Sequence, residues 1–225
     1  MDTSSDCYNF VNNHWICPSY LVDYQDELVS ATWQHIWITV VSVLLGAVIA
    51  FPLALLARRS TTASGVVLGG STIIYTIPSL AMFSLLLPFT GISATSVIIG
   101  LALYTLTILV RNMVAGLEAV PEDVRDAARG LGYGPVKMLL RIETPLALPV
   151  IMAGLRVATV SSVALLTVGC ILGYGGLGNL IRNGVQNDFK AQVLTASVLC
   201  VLLAVVFDVI IVGVQRLATP WQRGR

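Results

Sequence analysis

The chain has 225 residues, of which 56% are hydrophobic and only 11% are charged, and its formal net charge is +1. Its mean hydropathy of +0.84 is too high for a soluble globule, which would have to expose large apolar patches. A net charge this close to zero gives no reason to expect a nucleic acid as a partner. We therefore expect an all-α integral membrane protein that is surrounded by lipid.

The amino-terminal arm, residues 1–30, is acidic. No lysine or arginine occurs in residues 1–57, whereas carboxylates are frequent in the arm. Because positively charged residues are retained on the cytoplasmic side of a membrane, we expect this arm to lie outside the cell. In an oxidising space Cys7 and Cys17 would close a small disulfide loop, and two unpaired thiols are the alternative.

Five apolar runs are long enough to cross a membrane as helices, since about 20 helical residues span about 30 Å of hydrocarbon. Positive charges are concentrated between the first and second runs, between the third and fourth, and after the fifth. This bias predicts an outside amino terminus and a cytoplasmic carboxyl terminus. An odd number of spans without visible similarity between halves argues against an inverted-repeat secondary transporter. The predicted spans are 36–57, 65–87, 95–116, 147–172 and 192–215.

The second span contains a proline break near the middle of the membrane. Tyr75, Thr76 and Ser79 place hydroxyl groups around Pro78. A bent, hydroxyl-bearing segment is typical of a helix that lines a translocation path. A packing kink against a neighbouring helix is the alternative.

The fourth and fifth spans contain polar groups that are costly to place in lipid. Ser161 and Ser162 would line a path or hydrogen-bond back to their own helix. Arg156 and Asp208 lie in separate apolar runs at similar depth, and ionisable groups in a span rarely face lipid. We hypothesise that these two form a structural ion pair, with snorkelling of Arg156 to the inner surface as the alternative.

The only long charged segment between apolar runs is residues 118–149. Pro121 is suited to the first turn of a short amphipathic helix, and carboxylates follow where the helix dipole favours them. Glycines then interrupt the helix, and Pro135 begins a second short helix that we expect to end before Pro145. Such a helix-turn-helix suits a part that projects into the cytoplasm and fits a groove on a partner. The predicted apolar face of the first helix consists of Val124, Ala127, Ala128 and Leu131.

This segment resembles the EAA loop of ATP-binding-cassette (ABC) importer permeases, whose pattern is Glu-Ala-Ala, three residues, Gly, nine residues, then Ile-x-Leu-Pro. Asp126 stands in place of Glu and Thr144 stands in place of Leu, while all the spacings are kept. In that family the loop docks into the ATPase subunit and passes its movement to the membrane helices. The resemblance implies a coupling loop at 117–146. An ordinary amphipathic loop would have no reason to reproduce these spacings. The ATPase-coupling residues are then Asp126, Ala127, Ala128, Gly132, Ile142 and Pro145.

Four further segments are similar to permeases of osmoprotectant importers, which take up glycine betaine, carnitine, choline or related quaternary amines. The resemblance implies the type I ABC importer permease fold in a cell membrane. It also implies three partners: an ATPase subunit, an extracytoplasmic substrate-binding protein, and a second permease that is identical or a sister chain. ATP and Mg²⁺ would bind to the ATPase, and this chain would hold no cofactor. The similar segments are TIPSLAMF at 76–83, ALYTLTILVRN at 102–112, PLALPVIMAGLR at 145–156 and GYGGLG at 173–178.

The sequence contains none of the common catalytic or metal-binding motifs. GxxxxGK[ST] and HExxH are both absent, so we expect neither enzyme activity nor a metal site in this chain. For a quaternary amine in transit, Tyr75, Phe83 and Tyr104 would offer cation–π contacts, with ordinary packing as the alternative.

The expected organisation is an extracytoplasmic arm at 1–30, a permease domain at 31–217 and a cytoplasmic tail at 218–225. Two other functions stay open. One is the permease of a methionine-type importer, and the other is a membrane scaffold that transports nothing.

Overall fold

The computed structural model describes residues 13–222, within which no β-strand occurs. The all-α prediction is therefore confirmed for this range. The helices in chain order are α1 (Pro18–Asp23), α2 (Gln25–Ala57), α3 (Thr61–Thr76), α4 (Ser79–Thr90), α5 (Ala94–Glu118), α6 (Glu122–Gly130), α7 (Pro135–Met138), α8 (Thr144–Leu166), α9 (Leu177–Gln186) and α10 (Lys190–Ala218), with a π-helical segment at Leu139–Glu143 and 3-10 segments at Thr167–Leu172 and Pro220–Gln222.

Four described segments are long and apolar enough to cross a membrane, and α3 with α4 makes a fifth if the pair counts as one span. The four are α2, α5, the run Pro135–Leu172 and α10. This confirms the prediction of about five spans. The predicted second span is not one straight helix. Helix α3 ends at Thr76 and α4 begins at Ser79, so the two helices form either one broken span or a re-entrant loop. Pro78 has no N–H to donate and disfavours helical geometry at Ile77.

The chain divides into two compact units built from interleaved stretches. The described part of unit 1 comprises 13–42, 77–101 and 160–206. Phe83 lies against Gly100, where a Cβ atom would come within 2.7 Å of the aromatic ring, so this packing requires glycine. The buried core of unit 1 consists of Ile38, Phe83, Val97, Leu101, Leu166 and Leu172.

Unit 2 comprises 43–76, 102–159 and the described residues from 207 onward. Its core is rich in small side chains, which allow helices in a membrane to approach closely. A Cβ atom at Gly46 would lie 3.2 Å from the carbonyl oxygen of Ala102, so α2 and α5 are in close contact there. The buried core consists of Ala50, Ala54, Ala57, Leu106, Leu109, Val110, Met113, Val114 and Ala158.

The described part of the amino-terminal arm packs against the start of α10. The backbone N–H of Lys190 donates a hydrogen bond of 3.1 Å to Asn13 Oδ1. The buried ring of Tyr20 meets Phe189 edge to face, with 5.1 Å between the ring centroids. These contacts lie within unit 1 and connect segments far apart in sequence. The domain boundaries near residues 30 and 217 stay predictions.

Candidate functional site

Helix α6 carries the first part of the predicted coupling loop. It begins directly after Pro121, and the carboxylates of its first turn lie where the helix dipole favours negative charge. Arg125 Nη1 lies 2.9 Å from Glu122 Oε2, and this hydrogen bond is the main cause of the lowered pKa of Glu122. Arg129 Nη1 lies 2.6 Å from Asp126 Oδ1. Because both carboxylates are exposed, these pairs contribute little to stability.

Only part of the predicted apolar face of α6 is buried against the rest of the chain. Ala128 is buried and Val124 is half-buried, whereas Ala127 and Leu131 are exposed. The four positions therefore differ in burial, and the role of this face in docking to a partner stays a prediction. Ala127 and Ala128 point about 100° apart around the helix, and Leu131 already belongs to the turn because α6 ends at Gly130.

Gly132 forms the turn after α6. Its φ angle of +78° lies in the left-handed region that favours glycine. The backbone N–H of Gly132 bonds to the carbonyl of Arg129 at 2.9 Å, and that of Tyr133 bonds to the carbonyl of Ala128 at 3.1 Å. A Cβ atom at Gly132 would meet no heavy atom of the described residues within 4 Å. A side chain here would therefore project into open space.

The second part of the loop continues into α8 without a stop. The predicted end before Pro145 is wrong, because the N–H of Thr144 bonds to the carbonyl of Leu139, five residues back, and the helix runs on. This wider π-helical turn places Pro145 in the first turn of α8, where a missing N–H costs little. Ile142 and Pro145 are both half-buried.

Apolar side chains on both parts of the loop stay exposed. Leu131 is 78% exposed, Val136 is 70% exposed and Leu140 is 58% exposed. Exposed apolar groups that are flanked by charged residues are typical of an interaction surface. We call Ala127, Leu131, Val136 and Leu140 the loop apolar surface.

Glu143 connects this loop to the end of α2. Its carboxylate accepts two hydrogen bonds of 2.9 Å from the guanidinium of Arg58, and Arg125 Nε lies 3.0 Å from Glu143 Oε1. The side chain of Glu143 is only 8% exposed. The hydrogen bonds between Glu143 and Arg58 raise the pKa of the Arg58 guanidinium above its ordinary value. This Glu143 cluster joins three segments that are distant in sequence.

Glu143 does not stand out in the sequence, because it occupies the variable position of the Ile-x-Leu-Pro pattern. One signal was present. Glu143 is the only carboxylate between Asp126 and Asp188, and arginines follow the first predicted span and occur within the loop itself. A lone carboxylate in such a place needs a cationic partner.

The structure brings Arg156 of α8 and Asp208 of α10 together. Arg156 Nε donates to Asp208 Oδ1 at 2.7 Å, and Arg156 Nη2 donates to Asp208 Oδ2 at 2.9 Å. Two parallel hydrogen bonds are the strong geometry for this type of pair. The contact lies within unit 2 and at the surface of the protomer.

Exchanging these two charges tests whether the pair is structural. We expect Arg156→Asp and Asp208→Arg each to reduce assembly in the membrane, because each places two like charges next to each other within the spans. The double variant Arg156→Asp/Asp208→Arg should recover assembly, measured as the amount of intact complex in size-exclusion chromatography. Equal and additive losses would show that the pairing does not matter.

Of the predicted path residues, the structure brings Tyr75 and Tyr104 together. Their rings meet edge to face with 5.8 Å between centroids. Tyr75 is exposed, whereas Tyr104 is buried. The hydroxyl of Thr76 donates to the carbonyl of Ile73 in its own helix at 2.7 Å. All of these contacts lie within unit 2.

The other predicted path residues belong to unit 1. Pro78 precedes Ser79, the first residue of α4. On α8, Ser162 is buried and Ser161 is half-buried. Their role in a path stays a prediction.

The remaining predictions concern the cysteines and the absence of a metal site. The hypothesised disulfide involves Cys7, which lies outside the described residues, and Cys17. Cys170 and Cys200 are free thiols. Within residues 13–222, no group of three or more His, Cys, Asp or Glu side chains is arranged to hold a metal ion.

Comparison with known protein families identifies the family of this chain. A family model described as "Binding-protein-dependent transport system inner membrane component" matches residues 28–224. The chain belongs to this family. This permease is therefore a transport subunit rather than an enzyme, and its apolar helices make it an integral membrane protein.

Curated relatives of this permease match it over most of their length. It is 34% identical to the osmoprotectant import permease protein OsmW of Salmonella typhimurium, over 89% of this chain and 96% of that protein. It is 32% identical to the choline transport system permease protein OpuBB of Bacillus subtilis, over 86% and 89%. It is also 32% identical to the carnitine transport permease protein OpuCB of Listeria monocytogenes, over 86% and 89%.

Solved structures support the fold of this permease. An inward-facing structure of the MetNI methionine ABC transporter matches with a TM-score of 0.79 at 22% identity, over 91% of this chain and 100% of that chain. An amino acid ABC transporter matches with a TM-score of 0.70 at 18% identity, over 89% and 98%. At these identities the likeness shows the type I ABC importer permease fold alone.

Proposed function

We propose that this permease is the membrane subunit of an ATP-driven, binding-protein-dependent importer for osmoprotectants such as glycine betaine, carnitine or choline. The curated relatives carry osmoprotectant, choline and carnitine transport in their names and match nearly their whole length. The chain forms the translocation path and couples to a separate ATPase subunit, which binds ATP and Mg²⁺. A substrate-binding protein delivers the substrate from outside.

The observation that carries this proposal is the loop apolar surface next to the turn at Gly132. The surface is exposed in the isolated chain, and the Glu143 cluster holds the loop against α2. An apolar surface that docks on a partner, together with a rigid connection to a membrane helix, is what transmission of movement requires. We assign Asp126, Ala127, Gly132, Ile142 and Pro145 to this coupling, while the buried Ala128 packs α6 against its own chain.

The proposed orientation follows from the charge distribution. The arm lies outside the cell, where the binding protein docks, and the coupling loop and carboxyl terminus lie in the cytoplasm with the ATPase. A second permease, identical or a sister chain, completes the path in the cell membrane. The large exposed apolar area of α10 is suited to lipid or to this second permease.

Purification of the tagged chain from its native membrane in mild detergent tests the proposal. We expect an ATP-binding subunit to co-purify and the complex to accumulate glycine betaine in proteoliposomes when ATP and the binding protein are supplied. A chain that purifies alone would favour a non-transporting scaffold. Uptake that methionine inhibits and betaine does not would favour a methionine-type importer.

Replacing Asp126 with glutamate is expected to be tolerated. The change keeps the negative charge at an exposed position of α6 and restores the residue of the EAA pattern. Uptake and co-purification of the ATPase should stay within about twofold of the unmodified chain, a difference of less than about 0.5 kcal/mol. Loss of transport would show that the loop docks with a different geometry.

A further inference from the structure

Helix α5 carries a guanidinium inside a membrane span at Arg111. In another span Arg156 is compensated by Asp208, whereas no carboxylate among residues 13–222 pairs with Arg111. The side chain of Arg111 is nevertheless exposed. Because an isolated charge in a span is costly and rarely faces lipid, Arg111 is expected to face a water-filled cavity or a ligand. Because the described residues supply no carboxylate to Arg111, a ligand at this place would carry one.

Thr72 of α3 positions this guanidinium. Arg111 Nη2 donates to Thr72 Oγ1 at 2.6 Å, and Thr72 Oγ1 donates in turn to the carbonyl of Leu68 at 2.6 Å. One turn earlier on α5, Thr107 donates to the carbonyl of Ser71 at 2.6 Å. These bonds fasten α3 to α5 and fix the place of the charge. A guanidinium has five N–H donors, so the bond to Thr72 leaves others for a ligand.

An aromatic surface lies one turn further along α3. Tyr75 follows Thr72 by three residues, so the two share a helix face about 4.5 Å apart along the axis. Tyr75 is 47% exposed, and the buried Tyr104 packs against it and holds its ring. Tyr104 and Arg111 are separated by two helical turns and share a face of α5. The two helices therefore present an exposed aromatic ring and a guanidinium on one surface of unit 2.

We propose that Arg111 and Tyr75 form a transmembrane subsite for a small zwitterion that carries both a carboxylate and a quaternary ammonium group. The guanidinium binds the carboxylate through two hydrogen bonds, and the aromatic ring binds the ammonium group by a cation–π contact. Choline has the ammonium group without the carboxylate, so it leaves the charge of Arg111 uncompensated. The inference rests on the proposed function and predicts that betaine-type and carnitine-type compounds are bound in preference to choline, which remains a weaker substrate.

Uptake of two radiolabelled substrates tests the subsite in native cells in which each variant replaces the natural chain. We expect Arg111→Gln to lower glycine betaine uptake by about tenfold or more, because the two charged hydrogen bonds to the substrate carboxylate are lost. Choline uptake should be unchanged or higher, since choline has no carboxylate. Tyr75→Phe keeps the ring and should keep both activities. Tyr75→Ala should lower both.

Two controls separate a binding role from a structural one. Co-purification of the ATPase should be unchanged in Arg111→Gln, which reports an assembled complex. Arg111→Lys keeps the charge without the planar fork and should retain an intermediate betaine uptake. Equal loss of both substrates in Arg111→Gln, or loss of the ATPase, would show a structural role and overturn the subsite.

The unmodified chain distinguishes failure of the subsite from failure of the proposed function. Uptake of choline but not of glycine betaine would overturn the zwitterion subsite while the osmoprotectant function stands. Uptake of neither substrate would overturn the proposed function itself, and the subsite with it.

Discussion

Replacing Gly132 with aspartate is expected to abolish co-purification of the ATPase and to lower substrate uptake by about tenfold or more. The turn at Gly132 lies beside the exposed Leu131, and a new side chain projects outward because nothing in the described chain fills that space. A carboxylate buried unpaired at a docked interface costs more than the roughly 1.4 kcal/mol that corresponds to tenfold. Membrane insertion should be unaffected.

Two matched variants identify the cause of this loss. Gly132→Asn has nearly the same size and tolerance of the left-handed conformation but no charge, so it should be milder. Ser60→Asp adds the same charge in unit 2 outside the loop and preserves the cap, because Ser60 Oγ already accepts the N–H of Ala63. It should leave docking unchanged. Normal uptake and co-purification in Gly132→Asp would refute the coupling assignment.

Replacing Glu143 with glutamine is expected to loosen the coupling loop from the end of α2. The change removes the carboxylate that Arg58 and Arg125 share, and removal of one partner from a buried ion pair costs about 3–5 kcal/mol. We expect a lower Tm of the purified complex and faster amide hydrogen exchange in residues 122–145. Transport per ATP hydrolysed should also fall, because the loop no longer moves rigidly with α2.

The exposed pair on α6 supplies the control for Glu143. Arg129→Gln removes the bond to Asp126, and a surface pair of this kind contributes about 0–1 kcal/mol, so the Tm should barely change. The double variant Arg58→Gln/Glu143→Gln should be less destabilised than the sum of the two single variants, because the stranded charge of Arg58 is gone. Strict additivity, or unchanged hydrogen exchange in Glu143→Gln, would contradict a clamping role.

Much of this protein was predictable from local sequence. Hydropathy determined the number of spans, because transfer of about 20 consecutive residues into hydrocarbon depends on their composition and hardly on their neighbours. The turn after α6 was also predictable, since Gly132 takes a left-handed backbone conformation that few residues adopt. The break near Pro78 was expected, although its division of the span into two helices was not.

Only the tertiary structure decided which side chains meet. Glu143 contacts Arg58, which is 85 residues away in the sequence, and Arg111 contacts Thr72, which is 39 residues away. At such separations the sequence spacing carries no information about contact. It also decided that Ala128 is buried while Ala127 is exposed, and that the helix continues through Pro145. The reason is physical: helix formation and membrane insertion are local equilibria, whereas the pairing of charges depends on how separate helices pack.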